Sequence, residues 1–209
     1  MAGGEGGPDA GIWFDLDGTL LHLDGTYEAV LREAFGQHFE AETVDRAVEA
    51  YDFLDRFRAL EPDPVRAAMG GVLRAIGAGT IDLSTLVETL REVEYAAMRV
   101  PAGTRETLAD IDAPLGVLTN GLPAWQREKL VHHDLLHRFD AVVTSYEAGA
   151  HKPDAAPFDL ARERLAADRH VMVGDDYEAD VEGARAAGFE AVHAPTGIAP
   201  VRDELRALV

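Results

Sequence analysis

The apolar run Ile12-Trp13-Phe14 ends abruptly in Asp15-Leu16-Asp17-Gly18-Thr19-Leu20, which sets two carboxylates one residue apart and a glycine directly after them. The run reads as a buried strand and the glycine as the turn that leaves it. A buried strand cannot satisfy its backbone groups alone, so this one has to join a sheet built from residues much further along. The next comparable run is Leu115-Gly116-Val117-Leu118-Thr119, and the long stretch between the two is therefore an insertion after the first strand.

The insertion has helical texture throughout. Residues 27–39 carry Val30, Leu31, Ala34 and Phe35 on one helical face. A second helix is expected from Glu42 to Leu60, stopped by Glu61-Pro62-Asp63-Pro64, and a third from Val65 to Ile76, broken by Gly77-Ala78-Gly79. Asp82 or Ser84 caps a fourth that extends to about Val100. From Thr104 onward helix and strand alternate. Strands are expected at 115–119, 141–144, 171–174 and, more weakly, 191–193; helices are expected at 104–111, 125–136, 155–167, 180–187 and 201–208. Such alternation implies a parallel sheet covered by helices on both faces.

The expected architecture is an α/β chain: a Rossmann-like parallel-sheet core from residues 11–21 and 101–209, an all-helical block at 22–100, and a flexible tail at 1–10. An insertion at the carboxyl end of a strand is placed to cover whatever chemistry occurs there.

The chain's 209 residues, 47% of them hydrophobic, are ample for a real core. The absence of cysteine excludes disulfides, thiolate metal sites and cysteine nucleophiles. Lys+Arg number 19 against 38 Asp+Glu, and a net charge of −19 repels nucleic acid and anionic membranes. No apolar run reaches the roughly 20 residues of a membrane span. Met1 to Gly11 lacks the basic and apolar regions of a signal peptide, so a cytoplasmic protein is expected. Lys129 and Lys152 are the only two lysines, and arginine preference with this acidic excess suits a salt-rich cytoplasm.

The polar residues converge at the carboxyl ends of the expected strands: Asp15 and Asp17 on the first, Thr119-Asn120-Gly121 on the second, Lys152 after the third, Asp175 and Asp176 on the fourth. In a parallel sheet these ends share one edge, where open α/β sheets bind ligands. Several carboxylates in a small volume call for a hard divalent cation with oxygen ligands, Mg2+ foremost. A hydroxyl, a backbone amide and a lysine beside it suit a phosphoryl group.

The ordered set Asp15-Leu16-Asp17-Gly18-Thr19-Leu20, Leu118-Thr119-Asn120-Gly121, Lys152-Pro153-Asp154 and Gly174-Asp175-Asp176-Tyr177-Glu178-Ala179-Asp180 resembles the four motifs of the haloacid dehalogenase-like hydrolase superfamily, across residues 11 to 200. The helical block matches that family's cap domain. The resemblance implies a Mg2+-dependent phosphatase acting on a small phosphorylated metabolite. It makes Asp15 the nucleophile that forms an aspartyl-phosphate and binds Mg2+. Asp17 becomes the acid and base, with its backbone carbonyl on the metal. Thr119 and the Asn120 amide hold phosphoryl oxygens, Lys152 bridges Asp15 and the phosphate, and Asp175 completes the metal ligands. Where many members carry Ser or Thr, this chain has Asp176, a second metal contact directly or through water; Asp180 supports Lys152 or the metal shell.

The alternatives are a phosphomutase, a 2-haloacid dehalogenase of the same fold, or a non-catalytic regulatory relative. Dehalogenases of the family lack the carboxylate corresponding to Asp17 and need no metal. A phosphonatase needs a cap lysine, and residues 22–100 contain none. The regulatory reading predicts loss of Asp15, Asp17 or Lys152, and all three are present. His22, His132, His133 and His151 are read as surface or core residues, Trp13 as packing, and Arg56 and Arg58 as a solvated helix face. By family analogy, phosphoglycolate and sugar phosphates come first as substrates. If salt offsets the acidic self-repulsion, the unfolding midpoint rises from dilute buffer to molar potassium chloride; greater stability in dilute buffer overturns the salt-rich reading.

Overall fold

A computed structural model describes residues 10–79 and 81–209, which divide into two compact units. One holds the described residues up to His22 together with Arg99–Val209, and the other is Leu23–Met98. The strands are β1 (Ala10–Phe14), β2 (His22–Leu23), β3 (Met98–Arg99), β4 (Leu115–Thr119), β5 (Ala141–Thr144), β6 (Arg169–Gly174) and β7 (Glu190–His193). Five form a parallel sheet in the order β5-β4-β1-β6-β7. The short β2 and β3 pair with each other where the chain leaves and re-enters the larger unit.

Strand β1 lies at the centre because it is apolar on both faces: every one of its residues is buried, and so is every residue of β4. Its register sets Phe14 opposite Val117 on one side and Val173 on the other. Ala10 and Gly11 already pair with Arg169 and His170, which corrects the expected tail at its end: Ala10 is strand, drawn in by the ladder to β6. The rest of that tail, residues 1–9, lies outside the described residues.

The sheet is flanked by α6 (Thr104–Ala109), α7 (Pro123–His132), α8 (Ser145–Ala148), α9 (Ala155–Arg164), α10 (Gly183–Ala186) and α11 (Arg202–Ala207), numbered after the five helices of the other unit. Its core gathers Trp13, Leu118, Val143, Phe158, Met172 and Phe189 among others. Trp13 is fully buried and donates Nε1–H to His170 Nδ1 at 3.3 Å, so its role is packing. Phe158 meets Phe189 edge-on at 5.5 Å.

The helical unit comprises α1 (Tyr27–Gly36), α2 (Ala41–Glu49), α3 (Phe53–Arg58), α4 (Pro64–Ile76) and α5 (Leu83–Ala96). The helix expected across Glu42 to Leu60 is two, broken at Ala50–Asp52. Tyr51 stacks on Phe53 at 5.9 Å and meets Phe35 edge-on at 6.3 Å, so aromatic packing overrides helix continuity there. Arg56 is held by Asp52 and Glu61. Helix α8 was absent from the expectation; it starts directly from β5 through a capping box between Thr144 and Glu147.

Phe158→Ala removes a wholly buried ring and its partner contact, and it is expected to lower the unfolding free energy by about 3–5 kcal/mol, read from denaturant midpoints at unchanged slope.

Candidate active site

The chain reaches β4 on one side of β1, continues outward to β5, then crosses to β6 on the other side. The carboxyl end of β1 is thus the switch point of the sheet, and the residues that follow β1, β4 and β6 meet there. A cavity of about 180 Å³ opens at this edge, and its lining includes Asp15, Asp17, Thr119, Asn120, Lys152, Asp175, Asp176 and Asp180. All eight residues expected from the sequence are brought together, with Ala179 beside them and no histidine in the lining.

Lys152 is the hub. Its Nζ donates to Asp15 Oδ1 at 2.8 Å, Asp180 Oδ1 at 2.6 Å and the Leu118 carbonyl at 2.7 Å, and the side chain is 2% exposed. Asn120 fixes its backbone from both sides: the Lys152 N–H donates to Asn120 Oδ1 at 2.8 Å, and Asn120 Nδ2 donates to the Lys152 carbonyl at 3.0 Å. The Asn120 side chain therefore orients the lysine loop, a role its place in the sequence did not reveal.

Behind Asp15 the chain turns at Gly18, whose φ of +99° suits glycine. A Cβ there would overlap the Asp175 carboxylate, which accepts from the Thr19 hydroxyl at 2.8 Å. The turn after β1 and the turn after β6 are thus locked together through Asp175.

Asp176 lines the cavity and also has a structural contact. Its Oδ1 accepts from the Glu178 and Ala179 N–H groups at 3.0 and 2.9 Å, capping the wide helical turn at Tyr177–Glu182 that leads into α10. Among the described residues, the three acidic side chains that can offer oxygens within 4.8 Å of one another are those of Asp15, Asp175 and Asp180. Asp176 lies outside this group, with one carboxylate oxygen engaged at the start of the helix, and Asp180, one turn on, belongs to it. Asp180 Oδ2 also accepts from the Asp176 N–H at 3.1 Å.

Asp17 makes contacts that the sequence reading missed. Lys129 Nζ donates to its two oxygens at 2.9 and 3.1 Å, and Gln126 Nε2 donates to Oδ2 at 2.8 Å. The same Gln126 nitrogen donates to Thr119 Oγ1 at 3.0 Å. Both residues lie on α7, three apart and hence on one helical face, and both are buried. The scarcity of lysine that singled out Lys152 applied equally to Lys129.

Burial pushes the Asp15 carboxyl up to about 7, against the pull of the Lys152 ammonium and with help from the neighbouring Asp180 and Asp17 charges. Burial also raises Asp175, against its hydrogen bond from Thr19. For Lys152 burial opposes the charged form, yet the Asp15 and Asp180 carboxylates outweigh it and raise its pKa. Crowded carboxyls of this kind are relieved by a cation.

The family model for haloacid dehalogenase-like hydrolases matches residues 10–188. A glyceraldehyde 3-phosphate phosphatase of Methanothermobacter thermautotrophicus is 30% identical over 197 residues, 87% of this chain and 83% of that protein. The fructose-1-phosphate phosphatase YqaB of Escherichia coli is 28% identical, covering 88% of this chain and 95% of that one. Among solved structures, a HAD phosphatase from Thermococcus onnurineus superposes with a TM-score of 0.57 at 26% identity, over 87% of this chain and 84% of that one. With four motifs meeting at one sheet edge and a family match across most of its length, the chain belongs to the haloacid dehalogenase-like hydrolases, in the phosphatase branch of that family.

Proposed function

We propose that this protein is a Mg2+-dependent phosphatase that hydrolyses a small phosphorylated sugar or aldehyde through an aspartyl-phosphate on Asp15. The observation that carries the reading is the cavity in which Asp15, held by Lys152, faces Asp17, Thr119 and Asp175. Asp15 supplies the nucleophilic carboxylate, and the Lys152 ammonium together with a cation would favour its ionised form against burial. Its carboxylate oxygen attacks phosphorus while the bond to the leaving oxygen breaks, and the Asp17 carboxyl gives its proton to that oxygen. In the second half a water oxygen attacks the same phosphorus and its proton passes to the Asp17 carboxylate. The bond to Asp15 then breaks, with the electron pair returning to Asp15. Thr119 and the Asn120 amide hold the phosphoryl oxygens throughout.

The donor set fits a hard divalent cation: oxygen ligands only, with two of the carboxyls raised by burial. Asp15, Asp175 and the Asp17 main-chain carbonyl would hold it, with Asp180 beside them holding Lys152. When bound, it neutralises charge on the phosphoryl oxygens. The five aspartates that line the cavity outnumber the two lysines paired with them, an acidic excess that a divalent cation reduces. The helical unit, inserted after β1, serves on this reading as the cap that selects the leaving group. Asp17 and Asp175 weigh against carbon-centred dehalogenation, which needs neither an acid nor a metal. The named substrates of the relatives put glyceraldehyde 3-phosphate and fructose 1-phosphate first in a substrate panel.

Hydrolysis of p-nitrophenyl phosphate is expected with Mg2+, to be abolished by EDTA, and to fall by roughly 10³-fold or more in Asp15→Asn. Metal-independent turnover or an active Asp15→Asn overturns the mechanism, and halide release from 2-chloropropionate would establish the dehalogenase instead.

The raised carboxyls give a second test. In cation-free protein, folded Asp15 keeps its proton up to about 7, whereas the unfolded chain releases it near 3.8. That group's stabilising contribution is therefore full below the unfolded value and is lost as pH rises through this window. A cation binds the ionised form, so the Mg2+-induced rise in melting temperature is expected to be larger at pH 8 than at pH 5.5, and to vanish in Asp175→Asn. A shift independent of pH or of Asp175 contradicts this metal assignment.

A further inference from the structure

We propose that Gln126 and Lys129 form a clamp that positions the Asp17 carboxylate to take the proton of the attacking water, and that ties it to the Thr119 hydroxyl. The inference rests on the phosphatase reading above and adds two residues to it. Three hydrogen bonds, two from Lys129 Nζ and one from Gln126 Nε2, converge on the two oxygens of Asp17. They hold it from behind: the Lys129 side chain is 6% exposed, whereas that of Asp17 is 36% exposed and lines the cavity. An anchored rear and an open front are what a proton acceptor for a cavity-bound water requires.

The link to Thr119 comes from the second hydrogen on Gln126 Nε2. A threonine hydroxyl has one hydrogen and two lone pairs, and accepting from Gln126 engages a lone pair. Its own hydrogen is then free to point at a phosphoryl oxygen. One helix face thus sets both the base that activates water and the donor that holds the phosphorus under attack.

Folding alone gives a weak reason for this arrangement. A buried ion pair is often matched in stability by apolar side chains of similar volume. In a chain with 17 arginines and two lysines, both lysines pair with site aspartates. The backbone is also shaped for the clamp: a Cβ on Gly121 would overlap the Gln126 side chain, so glycine after Asn120 lets Gln126 close in. In the step served, the water O–H bond breaks toward an Asp17 oxygen, the water oxygen bonds to phosphorus, and the phosphorus–oxygen bond to Asp15 breaks with its electrons returning to Asp15.

The test uses Lys129→Met in rapid mixing with p-nitrophenyl phosphate and Mg2+. Nitrophenolate leaves without a proton, so formation of the aspartyl-phosphate is spared and its hydrolysis is slowed. A burst approaching one nitrophenolate per enzyme is expected, followed by turnover slowed about 10–100-fold. kcat and KM should fall together, leaving kcat/KM within about threefold, and Lys129→Arg, which keeps the charge but not the compact ammonium, should recover only part of kcat. Retention of the Mg2+-induced melting shift shows that the metal cluster is intact. If Lys129→Met does not fold, Gln126→Met is read in the same assay with the same expected burst. Unchanged kcat, or loss of kcat/KM with no burst, overturns the clamp. Wild-type protein inactive on the ester, or an active Asp15→Asn, overturns the phosphatase reading itself and the clamp with it.

Discussion

The Lys152 ammonium between the Asp15 and Asp180 carboxylates is the interaction on which the rest of the site depends. All three side chains are nearly sealed from water, at 2% to 11% exposure. Removing one partner from such a group leaves a buried charge uncompensated, which typically costs about 3–5 kcal/mol. The three groups come from the loops after three different strands, so the contact forms only when β1, β5 and β6 are in register. Asn120 on the loop after β4 completes the tie by holding the Lys152 backbone. The geometry of the candidate site is therefore a consequence of the sheet order, with β1 at the switch point.

That dependence explains why so much was readable from the linear chain. Strands apolar on both faces and interrupted by acidic residues leave little freedom: β4 and β5 fall at the expected residues, and Asp15, Thr119, Lys152 and Asp175 fall at the expected edge. What stayed hidden was set by tertiary contact. The break between α2 and α3 follows from Tyr51 packing against Phe35 and Phe53, residues whose proximity no local pattern encodes. The division of labour between Asp176 and Asp180 follows from where the helix after β6 begins. Asp176 supplies the cap oxygen, which no local pattern marked, whereas Asp180 meets Lys152 in one of its two expected roles. Lys129 was hidden differently, since it closes the polar run Gln126-Arg127-Glu128-Lys129 on a helix and only its rarity set it apart.

The charge pattern gives these local facts a common cause. A chain at net −19 attracts cations everywhere on its surface, so a specific cation site has to differ from the background by burial and geometry. The raised pKa values of Asp15 and Asp175 are the sign of that difference: these carboxyls are driven by burial toward the neutral form and gain most from a cation that restores their charge. Exposed acidic side chains elsewhere remain hydrated and gain little.

The two lysines then divide the positive charge by function. Lys152 lies sealed from water and shares its ammonium between the Asp15 and Asp180 carboxylates. Lys129 lies behind the Asp17 carboxylate, which still faces the cavity and, in the mechanism proposed above, exchanges protons with leaving group and water in turn. An arginine's planar fork favours static bidentate pairing, whereas the compact ammonium fits among several oxygens and tolerates their rearrangement. A chain that uses arginine nearly everywhere else and lysine at these two places separates two kinds of cation pairing, with fixed pairs on the surface and shared pairs at the candidate site.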